Sequence, residues 1–203
     1  MSSVRIAMDS HYSSSLSTVF SLIVIAAILK SAAARGGMAT AEFINSSCKV
    51  TRYPAVCVAT LSSYNGSLRA KQGELVNATV KDALLNTRNV SAWTTVLSTS
   101  KGLSKRERAA LKDCVENFGD TCGQMSQSLE ELKQLRPAKF KFQMSNVQTW
   151  MSAALTNEDS CLDGFQGVNG SVQRLVNSRV QNLCKLISNS LALVNNLAAT
   201  GDY

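Results

Sequence analysis

Residues 104–137 read SKRERAALKDCVENFGDTCGQMSQSLEELKQLRP, and their spacing decides the fold. Leu111, Val115, Phe118, Cys122, Met125, Leu129 and Leu132 recur at alternating steps of four and three, which lines one side of an α-helix with apolar groups. Ser104, with Glu107 three places on, makes a capping box at the start. Pro137 ends the run, because proline cannot continue a helix interior and restricts the residue before it. A long amphipathic helix B therefore covers about 104–134.

Outward from this helix the same periodicity continues. Helix C, about 141–165, would bury Val147, Trp150, Met151, Ala154, Cys161 and Phe165, with Gly164 and Gly167 marking its end. Helix D, about 171–198, carries Val172, Val176, Val180, Leu183, Ile187, Leu191 and Val194 on one side. Helix A, about 68–100, has a less regular face of Leu75, Val90, Trp93 and Leu97. Strand-like alternation is scarce, and short links between long helices make antiparallel neighbours. The expectation is an all-α chain, an up-down-up-down four-helix bundle at 68–200.

A short helical hairpin at 42–66 precedes the bundle, with Pro54 suited to a first helical turn. A bridge between Cys48 and Cys57 would close it and contribute about 2.7 kcal/mol through chain entropy. The other cysteines are Cys114, Cys122, Cys161 and Cys184. If helices B and C fold back about Pro137, residues at one level have numbers summing to roughly 275. Cys114 and Cys161 meet that condition and should sit side by side. Cys122 and Cys184 also share a level, but on helices that would be diagonal in the bundle. Free buried thiols are therefore favoured over a third bridge, which stays open.

The N-terminus carries an eleven-residue apolar run, Val19–Leu29, with Arg5 upstream and Ala32-Ala33-Ala34 downstream. The run is shorter than the ~20 residues a membrane span needs. Residues 1–34 therefore read as a secretory leader, with Ala39-Thr40-Ala41 as a second cleavage position, leaving 35–203 as a single domain. Arg5, Lys30 and Asp9 go with the leader, so the net charge falls from +7 to +6. Sequons at Asn45, Asn65, Asn77, Asn89 and Asn169 agree with secretion, and none falls between Asn89 and Asn169. No membrane association is expected after cleavage.

The residues also exclude chemistry. The single histidine, His11, lies in the leader, which removes histidine-dependent nucleophiles and histidine metal sites together. No phosphate-binding glycine loop or metal-ligand spacing occurs, so neither cofactor nor metal is expected. Glu158, Asp159 and Asp163 read as a solvated helix end, although a carboxylate pair such as Glu158 and Asp163 is what a glycan hydrolase would use. Lys101, Lys105, Arg106, Arg108 and Lys112 read as a solvated helix start rather than a nucleic-acid site. A basic secreted chain could also associate weakly with an acidic polysaccharide.

Helix C carries one further pattern. Thr149, Ala153, Thr156 and Ser160 are spaced four, three and four apart, with Ser152 and Asn157 beside them. Small hydroxyl-bearing side chains let another surface approach the helix closely at low entropic cost. The competing reading is close packing inside the bundle. The absence of sequons on helices B and C favours an open docking face.

From Cys48 and Cys57 around Tyr53-Pro54, through Leu111-Lys112-Asp113-Cys114, to Asn146–Phe165 ending in Cys161-Leu162-Asp163-Gly164-Phe165, the chain resembles the plant invertase/pectin methylesterase inhibitor family over residues 42–200. The resemblance implies a four-helix bundle with an N-terminal hairpin and disulfides Cys48–Cys57 and Cys114–Cys161. It implies a secreted cell-wall protein without enzyme activity that blocks the cleft of an extracellular enzyme, one-to-one. Invertase inhibitors of the family carry Pro-Lys-Phe, which Ala138 interrupts here as Pro137-Ala138-Lys139-Phe140. The run from Trp150 to Thr156 looks instead like a stand-alone pectin methylesterase inhibitor. On that resemblance Thr149, Ser152, Ala153, Thr156 and Asn157 become the expected partner-binding residues.

Overall fold

The computed structural model describes residues 38, 40–64 and 68–203. The expected leader and the sequon at Asn65 lie outside the described residues. Helix α1 (40–48) and α2 (Pro54–Ser62) form the hairpin. They are followed by α3 (Gln72–Ser98), α4 (Lys105–Lys133), a 3-10 turn at Pro137–Lys139, α5 (Phe140–Asp163) and α6 (Ser171–Thr200). Helix α4 packs on α3 and α5, and α6 packs on the same two, which makes the up-down four-helix bundle. No described helix is long and apolar enough to cross a membrane.

The start of α4 follows its sequence. The Ser104 hydroxyl accepts from Glu107 N at 3.2 Å, and Ser104 N donates to the Glu107 carboxylate at 2.8 Å. Hydrogen bonds from Ser104, backbone and then hydroxyl, hold the exposed Glu107 carboxyl below the usual glutamate range.

The inward face of α4 differs from the apolar stripe by one residue. Leu111, Phe118, Met125 and Leu132 are buried, but their companions are Cys114, Thr121 and Ser128, while Val115, Cys122 and Leu129 are half-buried. The cause is covalent. Cys114 is bridged to Cys161 on α5 with Cα atoms 4.5 Å apart, and that bond sets the rotation of α4. Thr121 and Ser128, one and two heptads on, are thereby carried into the bundle. Both are small, and both satisfy themselves on backbone: the Thr121 hydroxyl donates to Ala154 O at 3.4 Å and the Ser128 hydroxyl to Gln124 O at 2.9 Å.

Helix α3 also departs from expectation. Val90, Trp93 and Leu97 are half-buried, whereas Leu75, Val76, Ala78, Thr79, Val80, Ala83 and Leu84 are buried almost all round. The N-terminal half of α3 is covered on one side by its bundle neighbours and on another by the hairpin, since α2 packs across α3 and α6. At the edge of the bundle, Arg179 of α6 lies over the half-buried Trp93 ring, 4.3 Å from its centroid. Trp150 on α5 and Leu191 on α6 are likewise half-buried rather than in the core.

The hairpin docks through one residue that periodicity could not single out. Asn189 of α6 is buried, accepts from Tyr53 N at 3.0 Å and donates to Tyr53 O at 2.9 Å. Its amide thus occupies both hydrogen-bonding groups of one backbone unit beside Pro54, which has no N–H to offer. Cys48 and Cys57 are bridged as expected, and Ile44, Cys48, Cys57 and Leu61 are buried against the bundle.

Candidate functional site

The residues expected to meet a partner lie along the outer side of α5. Thr149, Ser152, Thr156 and Ser160 are exposed, and Ala153 and Asn157 are half-buried. A continuous helix from Phe140 to Asp163 holds them at fixed rotation. The three hydroxyls of Thr149, Thr156 and Ser160 donate to carbonyl oxygens one turn back, Ser145 O, Ser152 O and Thr156 O, at 2.8, 3.1 and 3.0 Å. Their protons are committed to the helix, so the surface presents small groups and acceptor lone pairs.

Ala153 and Asn157 turn toward α4. The Asn157 amide donates to Gln124 Oε1 at 3.1 Å, closing the outer edge of the α4–α5 seam. One half of the candidate set is thus an open ridge and the other half is its footing on α4. Gln124 belongs to this arrangement although its sequence position carries no signal beyond being polar.

Beneath the ridge the structure overturns the expectation for the acidic cluster. Asp159 and Asp163 are exposed, but Glu158 is fully buried, and both carboxyl oxygens lack a hydrogen-bond partner. Burial pushes its pKa up to about 8; the nearby Thr121 hydroxyl lowers it somewhat and the charge of Asp159 raises it further. Glu158 is therefore a neutral acid inside the bundle at acidic pH. It faces inward and Asp163 faces solvent, so the two do not form the carboxylate pair of a glycan hydrolase.

Cys122 and Cys184 are free, half-buried thiols. Burial raises the Cys122 thiol, with Arg88 pulling it partly back, and burial pushes Cys184 up to about 12. Both stay protonated at ordinary pH and are poor nucleophiles. Among the described residues no group of His, Cys, Asp or Glu is placed to hold a metal ion. A groove of about 540 Å³ lies on the other side of α4, against α3, away from the α5 ridge. Asn77, a sequon, lines it, so a glycan there would cover it.

The sequence and the fold both have known relatives. The family described as "Plant invertase/pectin methylesterase inhibitor" matches residues 42–193. A "21 kDa protein" of Daucus carota is 40% identical over 184 residues, covering 88% of this chain and 95% of its own. "Pectinesterase inhibitor 3" of Arabidopsis thaliana is 41% identical over 165 residues, covering 78% of this chain and 80% of its own. A crystal structure of a mutant pectin methylesterase inhibitor from Arabidopsis superposes with a TM-score of 0.56 at 20% identity, over 73% of this chain and 92% of that one, which establishes the shared fold. A disulfide-locked helical bundle, matched by a family of inhibitors along most of its length, leads to one assignment: the chain is a member of the plant invertase/pectin methylesterase inhibitor family.

Proposed function

We propose that this protein is a secreted inhibitor that docks one-to-one with a plant pectin methylesterase and closes its active-site cleft by occupancy, without chemistry of its own. The observation that carries the reading is the likeness at about 40% identity to a protein named as a pectinesterase inhibitor, along most of both chains. The α5 ridge supplies the means: exposed Thr149, Ser152 and Thr156 with Ala153 and Asn157 at the seam, on a helix bonded covalently to its neighbour. Residence in the plant cell wall is supported by two disulfides, which persist in oxidising compartments, and by the leader-like N-terminus. The sequons at Asn45, Asn77, Asn89 and Asn169 all lie off α4 and α5, leaving the ridge free of attached glycan. The net charge of +6 left once Arg5, Lys30 and Asp9 go with the leader supports a weak additional attraction to acidic pectin.

A bulky charge on the ridge tests the docking face. Thr156→Arg should weaken esterase inhibition at least about a hundredfold, roughly 2.7 kcal/mol. Its melting temperature should move by less than about 2 °C, since changes at exposed sites seldom exceed ~0.5 kcal/mol. Ala153→Arg is a poorer probe, because Ala153 is half-buried and the change would strain the bundle as well. Full inhibition by a stably folded Thr156→Arg protein would remove this face from the interface.

A further inference from the structure

The basic residues at the start of α4 separate into different environments. Arg106 reaches across to the α5–α6 turn, where its guanidinium donates to Gln166 O at 2.6 Å. Lys105, Arg108 and Lys112 instead line a groove of about 440 Å³ together with Ser98, Leu103 and Ala109. Among the described residues no carboxylate lines that groove. The Arg108 guanidinium is anchored by donating to Ser98 O at 2.7 Å and Ser100 O at 3.4 Å, so its position is set before any ligand arrives.

The three cations stand at i, i+3 and i+7, on one face of α4 and spread over about 10 Å of helix. Leu103 and Ala109 supply the apolar floor of the groove. We propose that this groove binds a polyuronate chain, whose sugar rings carry a carboxylate at every residue and present an apolar ring face between carboxylates. Arg108 and the two lysines bind the carboxylates, and the floor takes the rings. Among the described residues no aromatic side chain lines the groove, so it lacks the stacking surface by which single-stranded nucleic acid is held. At ~100° per residue, Lys105, Arg108 and Lys112 lie on the far side of α4 from Cys114, which faces α5. A chain held there leaves the α5 ridge open.

The chemical consequence connects the two surfaces. Hydrolysis of pectin methyl esters uncovers carboxylates, so an esterase creates the polymer this groove prefers. The inhibitor would then collect where esterase has already acted. That consequence rests on the function proposed above, but the binding itself does not and can be measured with no enzyme present.

The test uses the mature protein on immobilised polygalacturonate, with fully methyl-esterified polymer and neutral dextran as comparators, at low and high salt. Lys105→Gln/Arg108→Gln/Lys112→Gln should lose at least about tenfold in affinity. A control with the same loss of charge at the exposed opposite end, Lys49→Gln/Lys139→Gln/Lys141→Gln, should change by less than about twofold. Because Arg108 also ties the α3–α4 turn, Lys105→Gln/Lys112→Gln is made in parallel and should lose at least about threefold with an unchanged melting temperature. Binding should fall with salt and be absent on the esterified polymer. Equal losses in the groove and control variants, or equal binding to both polymers, would overturn the proposal. A groove variant that keeps polymer affinity and loses esterase inhibition would also overturn it, by assigning the groove to an acidic protein face.

Discussion

Raising the pH from about 4.5 to 8 should weaken the fold by as much as about 5 kcal/mol, and Glu158→Gln should remove most of that loss. The carboxyl of Glu158 is fully buried with both oxygens unpartnered, and its pKa is raised from 4.5 to about 8 in the folded state. Below the unfolded pKa both states hold the proton and the buried acid is tolerated. Between the two pKa values the unfolded chain releases its proton while the folded chain must keep it, so stability declines steadily as pH rises and levels off above the folded value. A gap of one between the folded and unfolded pKa corresponds to about 1.4 kcal/mol, which sets the upper bound. The groups around Glu158 do not rescue its charge. The Thr121 hydroxyl offsets the burial only in part and Asp159 on the same helix adds to the rise; Cys122 from α4 and Cys184 from α6 hold protonated thiols, and Arg88 of α3 acts on Cys122 rather than on the carboxyl. Urea unfolding at about pH 5, 6.5 and 8 checks this directly. The parent protein should show a falling midpoint, the Gln variant a nearly flat one, and Glu158→Met the largest gain at the highest pH. Parallel pH profiles for parent and Gln variant would show that Glu158 ionises as freely as a surface carboxylate.

The second large effect is covalent. Replacing Cys114 and Cys161 together by Ala should cost about 4 kcal/mol, because the bridge closes a loop with a sequence separation of 47 residues. The corresponding cost for Cys48–Cys57, with a separation of 9, is under about 3 kcal/mol. The longer bridge also sets the rotation of α4 against α5, placing Thr121 and Ser128 inward and Gln124 beside Asn157. Its removal should therefore lower inhibition as well as stability, whereas loss of the hairpin bridge should lower stability first. Equal urea midpoints for the parent and the Cys114→Ala/Cys161→Ala protein would contradict this account of the bundle.

How much of this is legible in the chain alone depends on what kind of signal each feature leaves. The heptad run Leu111–Leu132, the capping box at Ser104 and the break at Pro137 are local, and the long helices follow from signals of that kind. The meeting of Cys114 with Cys161 follows from helix rise and the position of one turn. The rotation of α4 does not, because the apolar residues Val115, Cys122 and Leu129 mark one heptad position and the bridge selects its neighbour. Glu158 departs from expectation for a related reason: its companions Asp159 and Asp163 are solvated, and charge composition cannot tell which member of a run points inward. Asn189 and Gln124 act through single contacts with segments distant in sequence, and such contacts leave no periodic trace. On α5 the small-residue pattern is legible as a face, but only packing against α4 separates the exposed Thr149, Ser152 and Thr156 from the seam residues Ala153 and Asn157.

The identity of the target enzyme is decided by a single titration. Purified protein is added in increasing amounts to fixed concentrations of a plant pectin methylesterase and, in parallel, of a plant acid invertase, and residual activity is recorded. Esterase activity should fall linearly to an equivalence point of one inhibitor per enzyme, while invertase activity stays unchanged throughout. Inhibition of the invertase with the esterase untouched would contradict the account.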